Sequence, residues 1–187
     1  MARADPWQTA EVAGPKKASV LNQAEVAMAV IRRAKRPLLL VGHRAAEITL
    51  GGRPLIDWVI RLSKGASLPI IASGKAAAAL VGRHYPPAAC MPVMDAANRL
   101  SDPAWQGIDG KGGSDLVLLI GLPYPMAWTV LSGLKHFAPH VKTITIDNVY
   151  HPQASLSFPN LSEEEWAEHL GALIEHFEEV KRDGNVL

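Results

Sequence analysis

Four glycines fall within seven residues in GIDGKGG, residues 107–113, and such a run is a candidate phosphate-binding loop. In α/β proteins these loops follow a strand and open a helix, because free N–H groups at the helix N-terminus hold the anion. Here the run instead precedes LVLLIG, whose composition is typical of a strand. We therefore predict a tight turn into a buried strand, with any ligand site at the other end of that strand.

Histidine and cysteine spacing gives little indication of metal binding or nucleophilic catalysis. His136 and His140 are four residues apart, but Pro139 between them interrupts a helix, so a loop pair is the better interpretation. Cys90 is the single cysteine, whereas an iron–sulfur cluster normally takes about four cysteine ligands. We therefore expect this chain to hold no metal and to contribute no catalytic residue.

The elements that must position any functional group alternate between helices and strands. Helices are predicted over NQAEVAMAVIRRA, LIDWVIRLSK, SGKAAAALVG, VMDAANRLSD, MAWTVLSGLKHF and SEEEWAEHLGALIEHFEEV, and strands over LLLVG, LPIIA, LVLLIG and VKTITID. Short continuous apolar runs are typical of central parallel strands that have helices on both faces. The alternation predicts an α/β fold of Rossmann type, with an open and mostly parallel sheet.

Two helix starts carry a capping signal, and one segment is irregular. Asn22 with Glu25, and Ser162 with Glu165, have the spacing of a capping box, in which two side chains satisfy free N–H groups reciprocally. Residues 83–92, RHYPPAACMP, are too proline-rich for regular structure. These patterns predict where the first and last helices begin, and a loop in the middle of the chain.

Composition limits the partners and the domain count. The chain has 187 residues, 48% of them hydrophobic, and a formal net charge of +1, so no overall field favours nucleic acid or an anionic membrane. No apolar segment is long enough to span a bilayer, and the N-terminus lacks the apolar core of a secretory signal. We expect a cytoplasmic protein with an N-terminal arm, residues 1–21, one domain, residues 22–182, and a short tail, residues 183–187.

Ligands of such sheets bind beyond the carboxyl ends of the strands, near the point where strand order reverses. There the hydroxyl of Ser73, the ammonium of Lys75 and nearby N–H groups suit a diphosphate, and Asp147 suits a ribose hydroxyl. Glycines also occur wherever a chain turns sharply, and on the residues alone we favour that structural explanation. The candidate cofactor-binding residues are Gly42, Ser73, Gly74, Lys75, Gly121, Asp147 and Asn148.

Three segments resemble a known family. RRAKRPLLLVGHRA, LSDPAWQGIDGKGGSDLVLLIG and VLSGLKHFAPHVKTITIDNVYHPQASLSFPNLS are similar to the epsilon subunits of the archaeal acetyl-CoA decarbonylase/synthase complex, which includes a carbon monoxide dehydrogenase. The resemblance runs with gaps from about Ala24 to the last helix and is most specific from Leu100 to Ser162. RHYPPAACMPV falls outside it.

The resemblance implies a fold, partners and a role. The implied fold is similar to the NAD/FAD-binding domain shared by deoxyhypusine synthase and the NADP-binding part of transhydrogenase. The implied partner is the alpha subunit of the CO dehydrogenase component, in an assembly of two alpha and two epsilon chains. Alpha holds the nickel–iron cluster and the iron–sulfur relay that oxidise CO to CO2. The implied role of epsilon is non-catalytic support of alpha within the larger complex.

Two interpretations of that role remain open. As a scaffold, the chain would use large aromatic anchors at its interface, the candidates being Trp7, Trp58, Trp105 and Trp128. As an electron-transfer module, it would bind FAD at the strand ends. Pro123 and Pro125 offer no N–H donors where a nucleotide-binding turn needs them, so we favour the scaffold. A free-standing NAD-dependent enzyme lacks both the dinucleotide fingerprint and a catalytic acid/base set.

Overall fold

The computed structural model describes residues 16–184, so Trp7 and most of the predicted N-terminal arm lie outside the described residues. Within 16–184 the chain forms six α-helices and nine strands. The helices are α1 (Ala24–Arg33), α2 (Leu55–Ala66), α3 (Gly74–Val81), α4 (Val93–Ser101), α5 (Tyr124–Phe137) and α6 (Glu163–Gly184). The strands are β1 (Ser19–Val20), β2 (Pro37–Val41), β3 (Thr49–Leu50), β4 (Arg53–Pro54), β5 (Ile70–Ala72), β6 (Ala89–Cys90), β7 (Leu116–Ile120), β8 (Lys142–Thr145) and β9 (Leu156–Ser157).

Seven strands form one sheet in the order β1-β9-β8-β7-β2-β5-β6, and every neighbouring pair is parallel. From β2 the chain builds outward through β5 and β6, and it then returns to build through β7, β8 and β9 on the other side. The strand order therefore reverses between β2 and β7, which is the switch point of the sheet. The predicted α/β fold with a parallel sheet is confirmed.

The two central strands are buried on both faces. β2 and β7 pair from Pro37 opposite Leu116 to Val41 opposite Ile120. Leu39 and Val41 belong to the hydrophobic core beneath α1, α2, α3 and α6, whereas Leu38 and Leu40 belong to the core beneath α4 and α5. Burial on both faces explains why these strands read as continuous apolar runs.

The glycine-rich run forms the predicted turn into β7. Gly107, Gly110 and Gly112 have φ angles of +74°, +72° and +122°, which favour glycine. The Arg36 guanidinium donates from Nε to the Gly112 carbonyl at 2.9 Å and forms an ion pair with Asp109. The run is therefore a structural turn, fixed by the residue just before β2.

The capping predictions had different outcomes. The box at α6 is confirmed, since Glu165 N–H donates to Ser162 Oγ at 3.2 Å and Ser162 N–H donates to Glu165 Oε2 at 2.8 Å. The Asn22 cap is wrong, because α1 begins one residue later with Gln23 as its extended N-cap and no side-chain cap bond. Residues 83–92 are not wholly irregular either, since Ala89–Cys90 pair with the end of β5 as β6.

No helix among residues 16–184 is both long and apolar enough to cross a membrane. The longest is α6, which runs for 22 residues. It carries three glutamates in its first turn and two basic residues in its last. Its buried stripe, Trp166, Leu170, Leu173, Ile174 and Phe177, packs in the core beside α1 and α2, as its spacing predicts.

Candidate functional site

The switch point is filled by the chain itself. A Cβ atom on Gly42 would lie 2.2 Å from the Gly121 carbonyl oxygen, and one on Gly121 would lie 2.7 Å from Ala45 Cβ. Ala45 belongs to a short 3₁₀ helix, His43–Ala46, whose Arg44 N–H donates to the Gly121 carbonyl at 3.1 Å. The two strand-end glycines therefore allow the backbone to approach itself closely. Ala45 packs directly against Gly121, just after the end of β7.

Ser73, Gly74 and Lys75 lie at the end of β5, where α3 begins. Ser73 is the extended N-cap, and its N–H donates to the Val41 carbonyl at 3.2 Å. The Lys75 ammonium pairs with Glu47 Oε1 at 2.8 Å, a contact that raises the lysine's pKa and lowers that of Glu47. Nothing lies within 4 Å of a Cβ atom added to Gly74, whose φ is +43°.

Asp147 is a buried carboxyl group that orders the end of β7. Its Oδ1 accepts the Gly121 N–H at 2.7 Å, while Oδ2 has no hydrogen-bond partner. Burial raises its pKa to about 6, although the N–H groups of Gly121 and Leu122 oppose that shift. Asn148 is half-buried, and its carbonyl accepts the Leu161 N–H at 2.9 Å. The structure therefore brings Gly42, Gly121 and Asp147 together. Asp147 uses Oδ1 to bind the Gly121 N–H.

His151, four residues after Asp147, is a buried titratable group absent from the sequence-predicted site. Its ring stacks on Tyr124, with centroids 4.3 Å apart and planes inclined by 15°. Burial lowers its pKa to about 4, and its Nδ1 atom has no hydrogen-bond partner. Sequence gave no signal for His151, because its burial depends on packing between α5 and the β8–β9 loop.

A largely apolar groove of about 490 Å³ opens beside the switch point. It lies between the start of α5 and the loops after β5 and β6. Its lining residues include His43, Ser73, Gly74, Cys90, Met91, Met94 and Met126. Met94 and Met126 are each about 40% exposed, and Cys90 is exposed. Sequence reasoning missed this groove, since part of its wall, Cys90, Met91 and Pro92, comes from the proline-rich segment.

Metal-binding side chains do not converge within residues 16–184, where no group of three or more His, Cys, Asp or Glu is placed to hold an ion. His140 Nε2 lies 3.1 Å from the Leu100 carbonyl oxygen, in a loop.

The described candidate tryptophans, Trp58, Trp105 and Trp128, are all half-buried. Trp58 donates to the Leu50 carbonyl, and the guanidinium groups of Arg53 and Arg61 lie 5.9 Å from its ring centre.

Comparisons with a family model and with individual proteins indicate the same family. Residues 1–174 match the family model described as CO dehydrogenase beta subunit/acetyl-CoA synthase epsilon subunit. The chain belongs to this family. The acetyl-CoA decarbonylase/synthase complex subunit epsilon of Methanothermobacter thermautotrophicus is 38% identical over 167 residues, covering 88% of this chain and 91% of that protein.

Two further epsilon subunits support the same assignment. Epsilon 2 of Methanosarcina mazei is 39% identical over 151 residues, covering 81% of this chain and 83% of that protein. The epsilon subunit of Methanothrix soehngenii is 34% identical over 158 residues, covering 84% and 81%. The resemblance to the epsilon subunits that was seen in the sequence is therefore confirmed. That its strand-end residues bind a cofactor stays a prediction.

Close packing at the switch point predicts a large loss of stability for Gly121→Ala. Gly52 is the matched control, because its φ of +71° nearly equals the +72° of Gly121 but nothing lies within 4 Å of an added Cβ. We expect Gly52→Ala to cost about 1–2 kcal/mol from backbone strain alone. Gly121→Ala should cost roughly 1–3 kcal/mol more from crowding against Ala45. Equal losses in urea-unfolding measurements would contradict the close contact.

The buried carboxyl of Asp147 predicts a pH-dependent effect of Asp147→Asn. A folded pKa of about 6, above the ordinary value of 3.8 for an aspartate, means that the wild type loses stability as pH rises from about 4 to 6. Asparagine keeps the acceptor for Gly121 N–H without ionising. The free energy of unfolding of the variant, relative to wild type, should therefore rise by up to roughly 3 kcal/mol over that window.

His151→Gln is the internal control for this measurement. The folded pKa of His151, about 4 against 6.5, makes the wild type lose stability as pH falls from 6.5 towards 4. The relative stability of His151→Gln should therefore improve as pH falls, opposite to Asp147→Asn. Urea unfolding at several pH values checks both variants, and a relative stability of Asp147→Asn that is constant from pH 4 to 7 would refute the buried carboxylate.

Proposed function

We propose that this epsilon-family chain is a non-catalytic accessory subunit of the CO dehydrogenase component of an acetyl-CoA decarbonylase/synthase complex. In this role it stabilises a nickel–iron alpha subunit that oxidises CO to CO2, in a cytoplasmic assembly of two alpha and two epsilon chains. Support comes from the relatives, each named as subunit epsilon of that complex. The observation that carries the choice of a scaffold is the filled switch point, where Ala45 packs on Gly121.

The surroundings of the switch point also favour a structural role. α5 begins there with Pro123 as its N-cap and Pro125 within its first turn, and neither residue has an N–H group to offer an anion. Lys75 is engaged with Glu47, so an anion would have to compete with that ion pair. A switch point that is closed in this way suits a subunit that contributes surface to an assembly.

Reconstitution with the alpha subunit tests the scaffold. We expect the chain alone to have no CO-oxidising activity, to coelute with alpha, and to lengthen the half-life of alpha's activity at elevated temperature by severalfold, since a partner that binds only the native state stabilises it. The measurement is residual CO oxidation after timed heating, with and without the chain. An unchanged half-life for a coeluting assembly would refute stabilisation, and failure to coelute would refute the partnership.

A second candidate function, FAD binding for electron transfer, is favoured by the groove beside the switch point. Its volume of about 490 Å³ lies within the usual range for small-molecule sites, and its apolar wall suits an isoalloxazine ring. The open backbone at Gly74 would face the diphosphate. This alternative includes the proposal that the sheet is a deoxyhypusine synthase-like NAD/FAD-binding fold.

Flavin titration distinguishes this alternative from the scaffold. If the groove binds FAD, fluorescence quenching should saturate only when the chain is present, and Met126→Glu should weaken binding about tenfold or more by placing a charge against the ring. Val81→Glu is the matched control, because Val81 is also exposed and apolar but does not line the groove. Absence of saturable quenching, or equal weakening by both variants, would exclude flavin binding in the groove.

A further inference from the structure

A second cleft, of about 630 Å³, lies at the amino edge of the sheet, opposite the switch point. Its walls come from the segment before β1, the end of α5, the start of β8 and the loop before β9. Four lysines line it: Lys16, Lys17, Lys135 and Lys142. No acidic side chain is found among the described residues that line it. The net charge of +1 therefore conceals a local concentration of positive charge.

Three of the four cations in this lysine cleft have no acidic partner among residues 16–184. Lys16, Lys17 and Lys142 take part in none of the salt bridges found within residues 16–184. Asp115 lines an adjacent cleft with Lys142, but its two oxygens accept the N–H groups of Lys35 and Arg36, each at 2.8 Å. The negative end of the α5 dipole accounts for one cation in its last turn, Lys135, and leaves the other three unexplained.

The lysine cleft has a fixed wall on the side of β1. The Ala18 N–H donates to the Pro152 carbonyl at 3.0 Å, and the Tyr150 hydroxyl donates to the Ala18 carbonyl at 2.8 Å. The Lys135 ammonium donates to the Lys16 carbonyl at 2.5 Å. These bonds hold the backbone of residues 16–18 against the sheet, and thereby position the two lysines that the segment contributes.

Buried polar and apolar groups form the floor. Thr143 and Gln153 are 4% and 2% exposed. Thr143 Oγ1 accepts the Ser155 N–H at 3.0 Å, and Gln153 Oε1 accepts from the Lys135 ammonium at 3.2 Å. Val141 and Ala154, which are 7% and 4% exposed, add a small apolar surface. The lysine cleft thus combines a cationic rim with a floor that has both hydrogen-bonding and apolar parts.

We propose that the lysine cleft binds a diphosphate-bearing small molecule of nucleotide size. Its volume lies within the range of about 300–1,000 Å³ that is usual for such sites. Lysine ammonium groups bind phosphate as point charges, and three or four of them match the charge of a diphosphate. The apolar floor contacts the uncharged part of the molecule. Burial lowers the pKa of Lys135, a cost that a bound anion relieves.

This site is independent of the proposed function. It lies at the amino ends of β1, β8 and β9, whereas the groove proposed for FAD lies at the carboxyl ends of β5 and β6. Failure of diphosphate binding leaves the accessory role intact. Failure to associate with an alpha subunit leaves the lysine cleft intact.

Isothermal titration calorimetry of the full chain with pyrophosphate and with ADP, at low ionic strength, tests the proposal. We expect saturable binding at one site, weakened about tenfold or more in Lys17→Ala/Lys142→Ala, since two ammonium–phosphate contacts are lost. Arg32→Ala/Lys111→Ala removes the same charge from exposed positions outside the cleft and should bind like the wild type.

The outcomes separate the sources of the anion. Tighter binding of ADP than of pyrophosphate supports a ligand of nucleotide size, because the base and ribose then contribute. Equal or weaker binding of ADP overturns the nucleotide-sized ligand and indicates inorganic diphosphate instead. Absence of saturable heat with either probe overturns the proposal, as does equal weakening by the two double variants. Lys142→Gln alone replaces the double variant if circular dichroism shows that the latter is unfolded.

Discussion

The backbone comes so close to itself at the ends of β2 and β7 that a Cβ atom at Gly42 would overlap the carbonyl of Gly121. β2 and β7 are parallel and pair in register up to Val41 and Ile120, so both strands end at the same level of the sheet. The turns that follow the two strands are therefore close together. The chain after β2 then packs Ala45 onto Gly121. This contact therefore closes the chain on itself at the switch point, beside the edge where sheets of this type usually bind ligands.

The close packing at the switch point buries the Gly121 N–H, which then needs a hydrogen-bond acceptor within the protein. The Gly121 N–H points into the protein, and Asp147 accepts it at the cost of burying a carboxyl group. The same loop buries His151 against Tyr124. Because burial disfavours the charged form of each group, the pKa of the acid rises and that of the base falls. Their effects on stability oppose each other as the pH changes between about 4 and 6.

Sequence predicted the features that depend on local pattern. The central strands, the cap at Ser162 and the turn at residues 107–113 follow from apolar runs, side-chain spacing and glycine content. Gly42, Gly121 and Asp147 do lie close together, as expected for residues at neighbouring strand ends, while ligand binding there stays a prediction. Sequence could not show that Ala45 packs against Gly121, because that contact depends on the path of the chain after β2. Sequence missed the two-residue strands β1, β3, β4, β6 and β9, since two residues carry no periodicity.

The lysine cleft could not be predicted from the sequence either, because its residues come together only in the folded chain. Lys16 and Lys17 lie more than a hundred residues before Lys135 and Lys142, so no run of basic residues marks the cleft that they share. Parallel sheets direct helix N-termini towards the carboxyl edge, and anions are favoured there. In this chain α5 begins at that edge, with Pro123 as its N-cap and Pro125 in its first turn. Because neither proline has an N–H group, the N-terminus of α5 is poorly suited to hold an anion. Helix C-termini lie at the opposite edge and attract cations, which accounts for Lys135 in the last turn of α5. Once Lys17 and Lys142 join Lys135 there, positive charge exceeds what one helix end neutralises, and the amino edge becomes the more favourable place for a negative ligand.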